Sequence, residues 1–536
     1  MTEIVLDGES VTPADLVAIA RDGATVALAE EAVDAIKESR RRVEDVLESE
    51  MPVYGINTGF GELVDERIPP EELEDLQTNL LRSHAAGTGR ELRTEEVRAM
   101  LAARVNSLAK GYSGIRLSVV EQLIAMLNGG VHPVVKSIGS LGASGDLAPL
   151  AHASLVVIGE GEAIVDGERL DGEQALERIG LEPLSLQAKE GLALINGTQL
   201  TTGIAALALE DATRTIRAAD VTGALTTEVT MSSTVPSHAT IASVRPHSGQ
   251  AASARNVRRC TEGSAIVESH RNCDRVQDAY SLRCLPQVHG AVRGALEHLR
   301  EAVTIELNSA TDNPLVFDRD RAPDRANGAG SGAVLSAGNF HGEELALRLD
   351  YARSALTELA AIAERRIDRM LNPNVQEAHL APFLTERGGL HSGYMIVQYT
   401  AAALLNECRA RGPHATDTTP VSGNQEDHVS MSAGAAVSFA EVAEMVQTVV
   451  AIELLCATQA ADFVDVEAGA GETGSVSAGE ESRGHGRGTG VAYRAVRDLV
   501  PRLEDDRTVH EEIETVRTLI DSGLLTDRVA ERVDLE

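Results

Sequence analysis

Long stretches in the second half of the chain repeat apolar residues at the spacing of an α-helix. Apolar side chains recur three or four positions apart, which places them on one face of a helix. These stretches span 198–232, 286–309, 341–371, 391–411 and 432–462. Several are longer than the 8–20 residues usual for helices in globular proteins. We therefore predict a bundle of long helices packed side by side.

The first 200 residues carry shorter and more varied patterns. A charged amphipathic helix is predicted over about 28–47 and a second helix over about 70–85. The dipeptide Asp166-Gly167 lies in the middle of 163–170 and predicts a β-hairpin there. This part of the chain is therefore expected to mix short strands with helices.

The patterns divide the chain into three predicted regions. Residues 1–196 form a smaller mixed N-terminal region, and 197–465 form the central long-helix bundle. Residues 466–536 contain a Gly-rich, Ser-rich break, predicted as a mobile loop over 469–490, followed by a charged helical pair. The predicted fold class is mainly α.

Composition narrows the range of partners. The 536 residues carry a formal net charge of −34, which argues against nucleic acid and anionic membranes as partners. Aromatic residues make up 2% of the chain and Trp is absent, so the core must consist mainly of Ala, Leu, Val and Ile. An acidic surface with few lysines suits a protein that works in concentrated salt, where its self-repulsion is screened. We hypothesise a halophilic host.

Cysteine usage and hydropathy predict a cytoplasmic protein. The five cysteines are an odd number without paired metal spacing, which is typical of reduced thiols. The N-terminus shows no basic segment followed by an apolar core, so no signal peptide is expected. No membrane span is expected either, because the apolar run 446–457 is interrupted by Gln447 and Glu453.

Small residues crowd the segment 139–150, around Ala143-Ser144-Gly145. Gly-rich turns before a helix are more often packing devices than reactive sites. A nucleophile elbow is excluded because Asp146, not Gly, stands two residues after Ser144, and no Gly-Lys-Ser/Thr phosphate loop is present. If the Gly145 nitrogen attacked the Ala143 carbonyl carbon, loss of two waters would leave an electrophilic methylene at the Ser144 Cβ.

With its neighbours, this tripeptide resembles the prosthetic-group motif of the aromatic amino acid ammonia-lyases. In that family the three residues become 4-methylideneimidazol-5-one (MIO). The resemblance continues in matching order from Tyr54 to Met431. It implies a mostly α-helical subunit with a parallel central bundle, assembled as a homotetramer. It also implies elimination of ammonia from an aromatic amino acid, with MIO as the cofactor and no metal or nucleotide.

The resemblance also implies roles for further residues. Tyr54, in the Gly-rich and Asn-rich loop 54–60, and Tyr280 would share the acid–base work. Asn196 would lie against the prosthetic group and the substrate carboxylate, and Phe340 would line the site. From the residues alone, a loop tyrosine is usually a packing residue, and Asn196 could equally be a helix cap.

Gln277, Tyr280 and Arg283 follow one another at intervals of three, which predicts one helical face. A solvated polar face would have the same spacing. An arginine presents a planar fork matched to a carboxylate, and an amino acid substrate has one. The resemblance makes Arg283 the carboxylate clamp and Gln277 a substrate-binding residue.

Two residues indicate the substrate. His84, preceded by Ser83, resembles the histidine-specific members, whereas His alone could simply cap a helix. Glu426 stands where those members carry a carboxylate, which can hydrogen-bond an imidazole but would be costly beside a phenyl ring. A metal site within 425–428 is not expected, because consecutive side chains point in different directions. The predicted reaction is deamination of L-histidine to trans-urocanate, with a tyrosine as base and Glu426 mainly orienting the ring.

Two alternatives stay open at this point. A lyase or aminomutase acting on tyrosine or phenylalanine would share the same tripeptide. A helical scaffold protein without catalysis would keep Ala143-Ser144-Gly145 as an ordinary peptide.

Overall fold

The computed structural model describes residues 2–48, 52–58, 68–271, 275–464 and 484–536. The chain divides into two compact units, each assembled from three separate stretches. Unit 1 comprises Met1–Glu210, His298–Asp350 and Pro413–Ala440, and unit 2 comprises Asp211–Glu297, Tyr351–Gly412 and Glu441–Glu536. These boundaries differ from those of the three consecutive regions predicted from the sequence. The chain passes from one unit to the other within long helices, except after residue 412. A continuous helical pattern gives no sign of such a boundary, so the sequence could not predict it.

All the strands found in the described residues belong to unit 1 and pair into four small sheets. They are β1 (Glu3–Leu6), β2 (Thr25–Leu28), β3 (Thr88–Glu91), β4 (His132–Pro133), β5 (Lys136–Ile138), β6 (Glu162–Val165), β7 (Glu168–Asp171), β8 (Leu315–Asp318) and β9 (Gly332–Leu335). β1 and β2 are parallel, and the pairs β3–β5, β4–β6, β6–β7 and β8–β9 are antiparallel. The predicted hairpin is confirmed, since Asp166 and Gly167 have φ of 50° and 79° between β6 and β7.

Eight helices of unit 1 precede residue 196. They are α1 (Pro13–Ala20), α2 (Glu30–Glu48), α3 (Leu73–His84), α4 (Thr94–Ala109), α5 (Leu117–Asn128), α6 (Leu147–Val157), α7 (Gly172–Arg178) and α8 (Glu190–Ile195). α4 is buried along nearly its whole length, and α1 and α5 pack against it. The predicted helices over 28–47 and 70–85 correspond to α2 and α3, the latter preceded by a 3₁₀ turn at Pro70–Glu72.

Twelve further helices follow along the described chain. They are α9 (Gln199–Val229), α10 (Ala239–Ser243), α11 (Ser248–Cys260), α12 (Ala265–Ser269), α13 (Tyr280–Arg283), α14 (Leu285–Leu307), α15 (Glu343–Leu371), α16 (Met395–Ala410), α17 (Ser432–Ala461), α18 (Thr489–Arg497), α19 (His510–Asp521) and α20 (Leu524–Ala530). The five predicted long helices are α9, α14, α15, α16 and α17, each within a few residues of the predicted bounds. The mainly α prediction is confirmed.

A fully buried ion pair links two helices of unit 2, and a third helix donates a hydrogen bond to it. The Arg366 guanidinium on α15 contacts the Glu453 carboxylate on α17 at 2.6 Å, and both side chains have no exposed surface. The Thr226 hydroxyl on α9 donates to the same carboxylate at 2.7 Å. Burying a charge without a partner is costly, and here the pairing and the hydrogen bond offset that cost, so the contact links the three helices.

By length and composition alone, α17 could cross a membrane. The sequence analysis judged only the run 446–457, which Gln447 and Glu453 interrupt, and did not identify the whole helix as long and apolar enough to pass this test. In the structure, 72% of its most apolar 18-residue window is buried, which is typical of a core helix. Glu453, inside that helix, is held by the buried ion pair with Arg366.

The C-terminal prediction is partly outside the described residues. The predicted loop over 469–490 is described only from residue 484, where His485 is buried and its Nδ1 lies 2.7 Å from the Glu228 carboxylate. α18 already begins at Thr489, so the loop ends earlier than predicted, and three helices follow instead of two. Cys260, Cys284, Cys408 and Cys456 are free thiols, and Cys273 lies outside the described residues.

Candidate active site

Three helices of unit 1 meet at a cavity that most of the predicted site residues line. α3, α6 and α8 pack against one another. α3 ends at His84, α6 begins after Asp146, and α8 ends just before Asn196. A cavity of about 700 Å³ is lined by residues from all three helices and from several loops. The predicted site residues that line it are Tyr54, His84, Ala143, Ser144, Asn196, Phe340 and Glu426.

The tripeptide turn is shaped by close backbone packing. Gly145 has a φ of +74° and lies against Gly197, where a Cβ atom on Gly145 would stand 2.2 Å from the Gly197 carbonyl oxygen. The Asp146 N–H donates to that same oxygen at 2.6 Å. Only glycine adopts this φ without strain and leaves room for the neighbouring backbone. The turn therefore places Ser144 at the cavity wall in a fixed backbone conformation.

Asp146 anchors the turn to the first residues of α9. Its carboxylate accepts hydrogen bonds from the Thr201 N–H at 2.8 Å and from the hydroxyls of Ser140 and Thr201 at 2.8 and 3.1 Å. The side chain is completely buried, and burial raises the pKa of Asp146 above its ordinary value while these hydrogen bonds lower it. The sequence analysis used this residue only to exclude a nucleophile elbow.

Asn196 contacts the tripeptide through its side-chain amide. Its Nδ2 donates to the Ser144 carbonyl oxygen at 2.7 Å. Its Oδ1 is buried and has no hydrogen-bond partner among the described residues. A buried carbonyl oxygen without a partner is costly, so it is an acceptor ready for a donor group in the cavity.

Glu426 contacts the serine of the tripeptide directly. The Ser144 hydroxyl donates to Glu426 Oε1 at 3.1 Å, across 282 residues of sequence. The loop that carries Glu426 is closed by a short antiparallel pairing with Val421. The carboxylate therefore faces the tripeptide turn from a constrained loop.

His84 is oriented by the end of its own helix. Its Nδ1 lies 2.9 Å from the Leu80 carbonyl oxygen, which requires a proton on Nδ1 and leaves Nε2 as an acceptor when the ring is neutral. Burial lowers the pKa of His84, opposed by the Leu80 carbonyl and by the Glu426 carboxylate. The neutral ring is therefore the favoured form at neutral pH.

The tripeptide turn, the asparagine and the two substrate-indicating residues thus share one cavity. The family model described as aromatic amino acid lyase matches residues 11–497. The chain belongs to the aromatic amino acid lyase family.

Individual relatives agree with this family over nearly the full length. A Halobacterium salinarum protein named probable histidine ammonia-lyase is 58% identical over 531 residues, covering 99% of this chain and 98% of the relative. The crystal structure of histidine ammonia-lyase from Trypanosoma cruzi has a TM-score of 0.86 and 39% identity, covering 99% of this chain and 96% of its own. The structure of tyrosine aminomutase from Streptomyces globisporus has a TM-score of 0.90 and 36% identity, covering all of both chains.

Three residues that the resemblance assigns to the aromatic amino acid lyase site lie in unit 2. Gln277 and Arg283 line a separate cavity of about 420 Å³, and the Arg283 guanidinium donates to Gln277 Oε1 at 2.5 Å. Tyr280 is 72% exposed, and the Arg283 guanidinium stands 5.8 Å from its ring centroid. α13 begins at Tyr280, so Gln277 precedes it and the predicted single helical face does not form. The roles of these three residues stay predictions.

The Tyr54 loop is described only through residue 58. Gly55 has a φ of +74°, and a Cβ atom there would stand 2.6 Å from Pro314 Cδ. This close approach holds the backbone beside Tyr54, which lines the cavity together with Asn313. Residues 59 and 60 of the predicted loop lie outside the described residues.

The cavity wall also contains two histidines that sequence reasoning did not assign to the site. The rings of His341 and His428 stack with centroids 5.7 Å apart. With Glu343 they form a set whose ligand atoms lie within 4.8 Å of one another, which could hold a metal ion. Tetrahedral zinc keeps its ligands only about 3.4 Å apart. The set would therefore have to contract, since His428 Nε2 and Glu343 Oε2 are 3.9 Å apart. Spacing within 425–428 alone could not reveal this set.

Proposed function

We propose that this chain catalyses the non-oxidative deamination of L-histidine to trans-urocanate and ammonia. The observation that carries the proposal is the contact between Ser144 and Glu426 in a cavity that also contains His84. The first residue belongs to the tripeptide that the family condenses, and the other two are suited to an imidazole. Together they link the reactive turn to the substrate class.

The prosthetic group MIO is part of the proposal, and the residues present fit it. The tripeptide consists of small residues in a tightly packed turn: Gly145 has a φ of +74° and lies against the Gly197 backbone, and Ala143 is buried. Asn196 would hold the condensed group through the Ser144 carbonyl oxygen. The group supplies an electrophilic methylene carbon that accepts an electron pair from the substrate.

Substrate binding and proton removal are assigned to side chains that line the cavity. A neutral His84 offers Nε2 as an acceptor, and the Glu426 carboxylate accepts from an imidazole N–H of the substrate. Phe340 packs against the substrate ring, and Tyr54 takes the β-proton, with Glu426 mainly orienting the ring. Such a base must be present as tyrosinate, so neighbouring charges or hydrogen-bond donors have to stabilise the anion by more than burial destabilises it.

Aminomutation is the second candidate reaction, favoured by the similarity to a tyrosine aminomutase structure. A carboxylate beside the substrate ring argues against it, because an unpaired Glu426 would be costly next to a phenyl or phenol ring. A panel of L-histidine, L-tyrosine and L-phenylalanine in high salt separates the candidates. We expect urocanate absorbance with histidine alone. Product from tyrosine or phenylalanine at a comparable rate would reject the histidine assignment.

The homotetramer and the cytoplasmic location are further parts of the proposal. The exposed position of Tyr280 and its contact with Arg283 leave both side chains available to another copy of the chain. Sedimentation in high salt is expected to give a particle of four chains. A monomer with full activity would reject this part of the proposal.

A dependence on salt follows from the net charge of −34. At low ionic strength the Debye length grows from about 3 Å at 1 M to about 30 Å at 0.01 M, so like charges repel over most of the surface. We expect the melting temperature to rise with salt concentration. Equal stability and activity without salt would count against a halophilic host.

A further inference from the structure

Three buried charges, one of which contacts Asn196, lie outside the lining of the cavity. The side chains of Arg104, Lys189 and Asp312 are each at most 1% exposed. None of them was singled out by the sequence, because Lys and Arg are rarely buried without pairing and no local pattern marks such positions.

Arg104 connects this cluster to the reactive turn through Asn196. Its Nη1 donates to the Asn196 carbonyl oxygen and to Gln199 Oε1, both at 2.8 Å, and its Nη2 donates to the Ala193 carbonyl oxygen. These carbonyls belong to the C-terminal end of α8, where the helix dipole favours a cation. The side-chain amide of the same Asn196 donates to the Ser144 carbonyl oxygen. A single residue therefore separates the guanidinium from the tripeptide.

The cluster carries one positive charge in excess. Lys189 Nζ pairs with Asp312 Oδ2 at 2.8 Å, and the second oxygen of Asp312 accepts the Asn313 N–H. Among the described residues no carboxylate lies within ion-pair distance of Arg104, whose acceptors are all neutral oxygens. Burial lowers the pKa of Arg104 to about 10, opposed by Asp312, so the guanidinium stays charged at neutral pH.

We propose that Arg104 is a positioning residue whose unpaired charge increases the electrophilicity of the condensed Ala143-Ser144-Gly145 turn. A cation in a dry interior acts on nearby groups with little screening, so it stabilises negative charge that develops at the turn. Because the guanidinium is already held in place, no protein group has to move to stabilise that negative charge during the reaction. The inference rests on the proposed function, because it requires that the tripeptide condenses.

The test measures how fast the turn reacts with cyanide, a small anion that needs no amino acid binding site. Its carbon lone pair forms a bond to the methylene carbon, the displaced electrons pass to the ring oxygen, and a proton is taken from water. Intact mass gives both the fraction of condensed protein and the rate of adduct formation on that fraction. This readout does not depend on turnover of histidine.

Three variants separate charge from hydrogen bonding. Arg104→Gln keeps donors but removes the charge, Arg104→Lys keeps the charge with fewer donors, and Arg104→Met removes both. We expect adduct formation to slow at least about tenfold in the Gln and Met variants, as for loss of one electrostatic contact to developing charge. The Lys variant is expected to stay within about threefold of the wild type, because a point charge is retained.

Arg98→Met is the matched control. Arg98 lies on the same helix, α4, and is also held by backbone carbonyls, those of Ile19 and Leu127. We expect it to lose stability without slowing cyanide addition. An Arg104→Gln protein that reacts as fast as the wild type overturns the inference.

The condensed fraction separates the remaining outcomes. If Arg104→Gln folds but stays uncondensed while Arg104→Lys condenses, the charge is needed at the turn and the inference stands. If both stay uncondensed, Arg104 is only a structural residue and the inference is overturned. If the wild-type protein has the full mass calculated from its sequence, with neither water lost, the proposed function is overturned instead.

Discussion

Gly145 and Gly197 are packed backbone to backbone, so that a Cβ atom on Gly145 would stand 2.2 Å from the Gly197 carbonyl oxygen. The contact joins the tripeptide turn to the segment that follows Asn196. It leaves no room for any other residue at position 145. The geometry of the tripeptide therefore depends on a residue that is more than 50 positions away.

Gly145→Ala is expected to prevent condensation of the tripeptide. The added Cβ must displace the Gly197 backbone, and the positive φ adds about 1–2 kcal/mol of strain. Intact mass and histidine deamination are the readouts, and both are expected to report an unreacted turn. Gly167→Ala is the control, because Gly167 has a φ of +79° but no atom within 4 Å of an added Cβ. A condensed, active Gly145→Ala protein would contradict this account of the turn.

Local patterns predicted much of the fold. Helical spacing located α9, α14, α15, α16 and α17 within a few residues, because long amphipathic helices carry many repeats of the signal. The Asp166-Gly167 hairpin was predicted because those two residues adopt positive φ readily. Short helices gave weaker signals. α13 begins at Tyr280, so a spacing of three residues from Gln277 did not mean a shared face.

The site was predictable only in part. The family resemblance predicted Ser144, Asn196 and Glu426 as site residues. It did not predict the contact between Ser144 and Glu426, which are 282 residues apart. Buried charges such as Arg104 were missed because their partners are distant in sequence and leave no local pattern. Tertiary packing creates these contacts, and spacing along the chain does not encode them.

Glu426→Gln is expected to weaken histidine turnover while leaving the fold intact. A hydrogen bond to a charged group contributes about 1.5–3 kcal/mol, so kcat/KM should fall about 10- to 100-fold. The ratio of phenylalanine to histidine turnover should rise, because an amide costs less than a carboxylate beside a phenyl ring. Kinetics are measured on protein whose mass shows condensation.

Glu407→Gln is the control for this variant, since it makes the same change at an exposed position on α16. We expect wild-type kinetics from it. An unchanged ratio of phenylalanine to histidine turnover in Glu426→Gln would remove Glu426 from substrate recognition.

Stability is expected to fall as the pH drops below 6.5, partly because of His132. Burial lowers the pKa of His132 to about 4, with a smaller effect of Arg98, and its Nδ1 has no hydrogen-bond partner among the described residues. Between pH 4 and 6.5 the unfolded chain then binds more protons than the folded one, so the free energy of unfolding decreases as pH falls.

His132→Gln should reduce that pH dependence. One proton accounts for at most about 1.4 kcal/mol per pH unit, and partial exposure reduces the effect further. Urea unfolding in high salt at several pH values gives the slope, with His510→Gln at an exposed position as the control. An unchanged slope in His132→Gln would assign the acid sensitivity to other groups.

The central claim is that Ala143, Ser144 and Gly145 condense without help from another molecule. Ser144→Ala removes the hydroxyl that must leave, so its activity is expected to fall by about 10³-fold or more while the fold is retained. The most direct measurement is the intact mass of the native protein beside that of Ser144→Ala. We predict a native chain lighter than its sequence by two waters and a Ser144→Ala chain of full mass. A native chain of full mass that still converts histidine to urocanate would contradict the account.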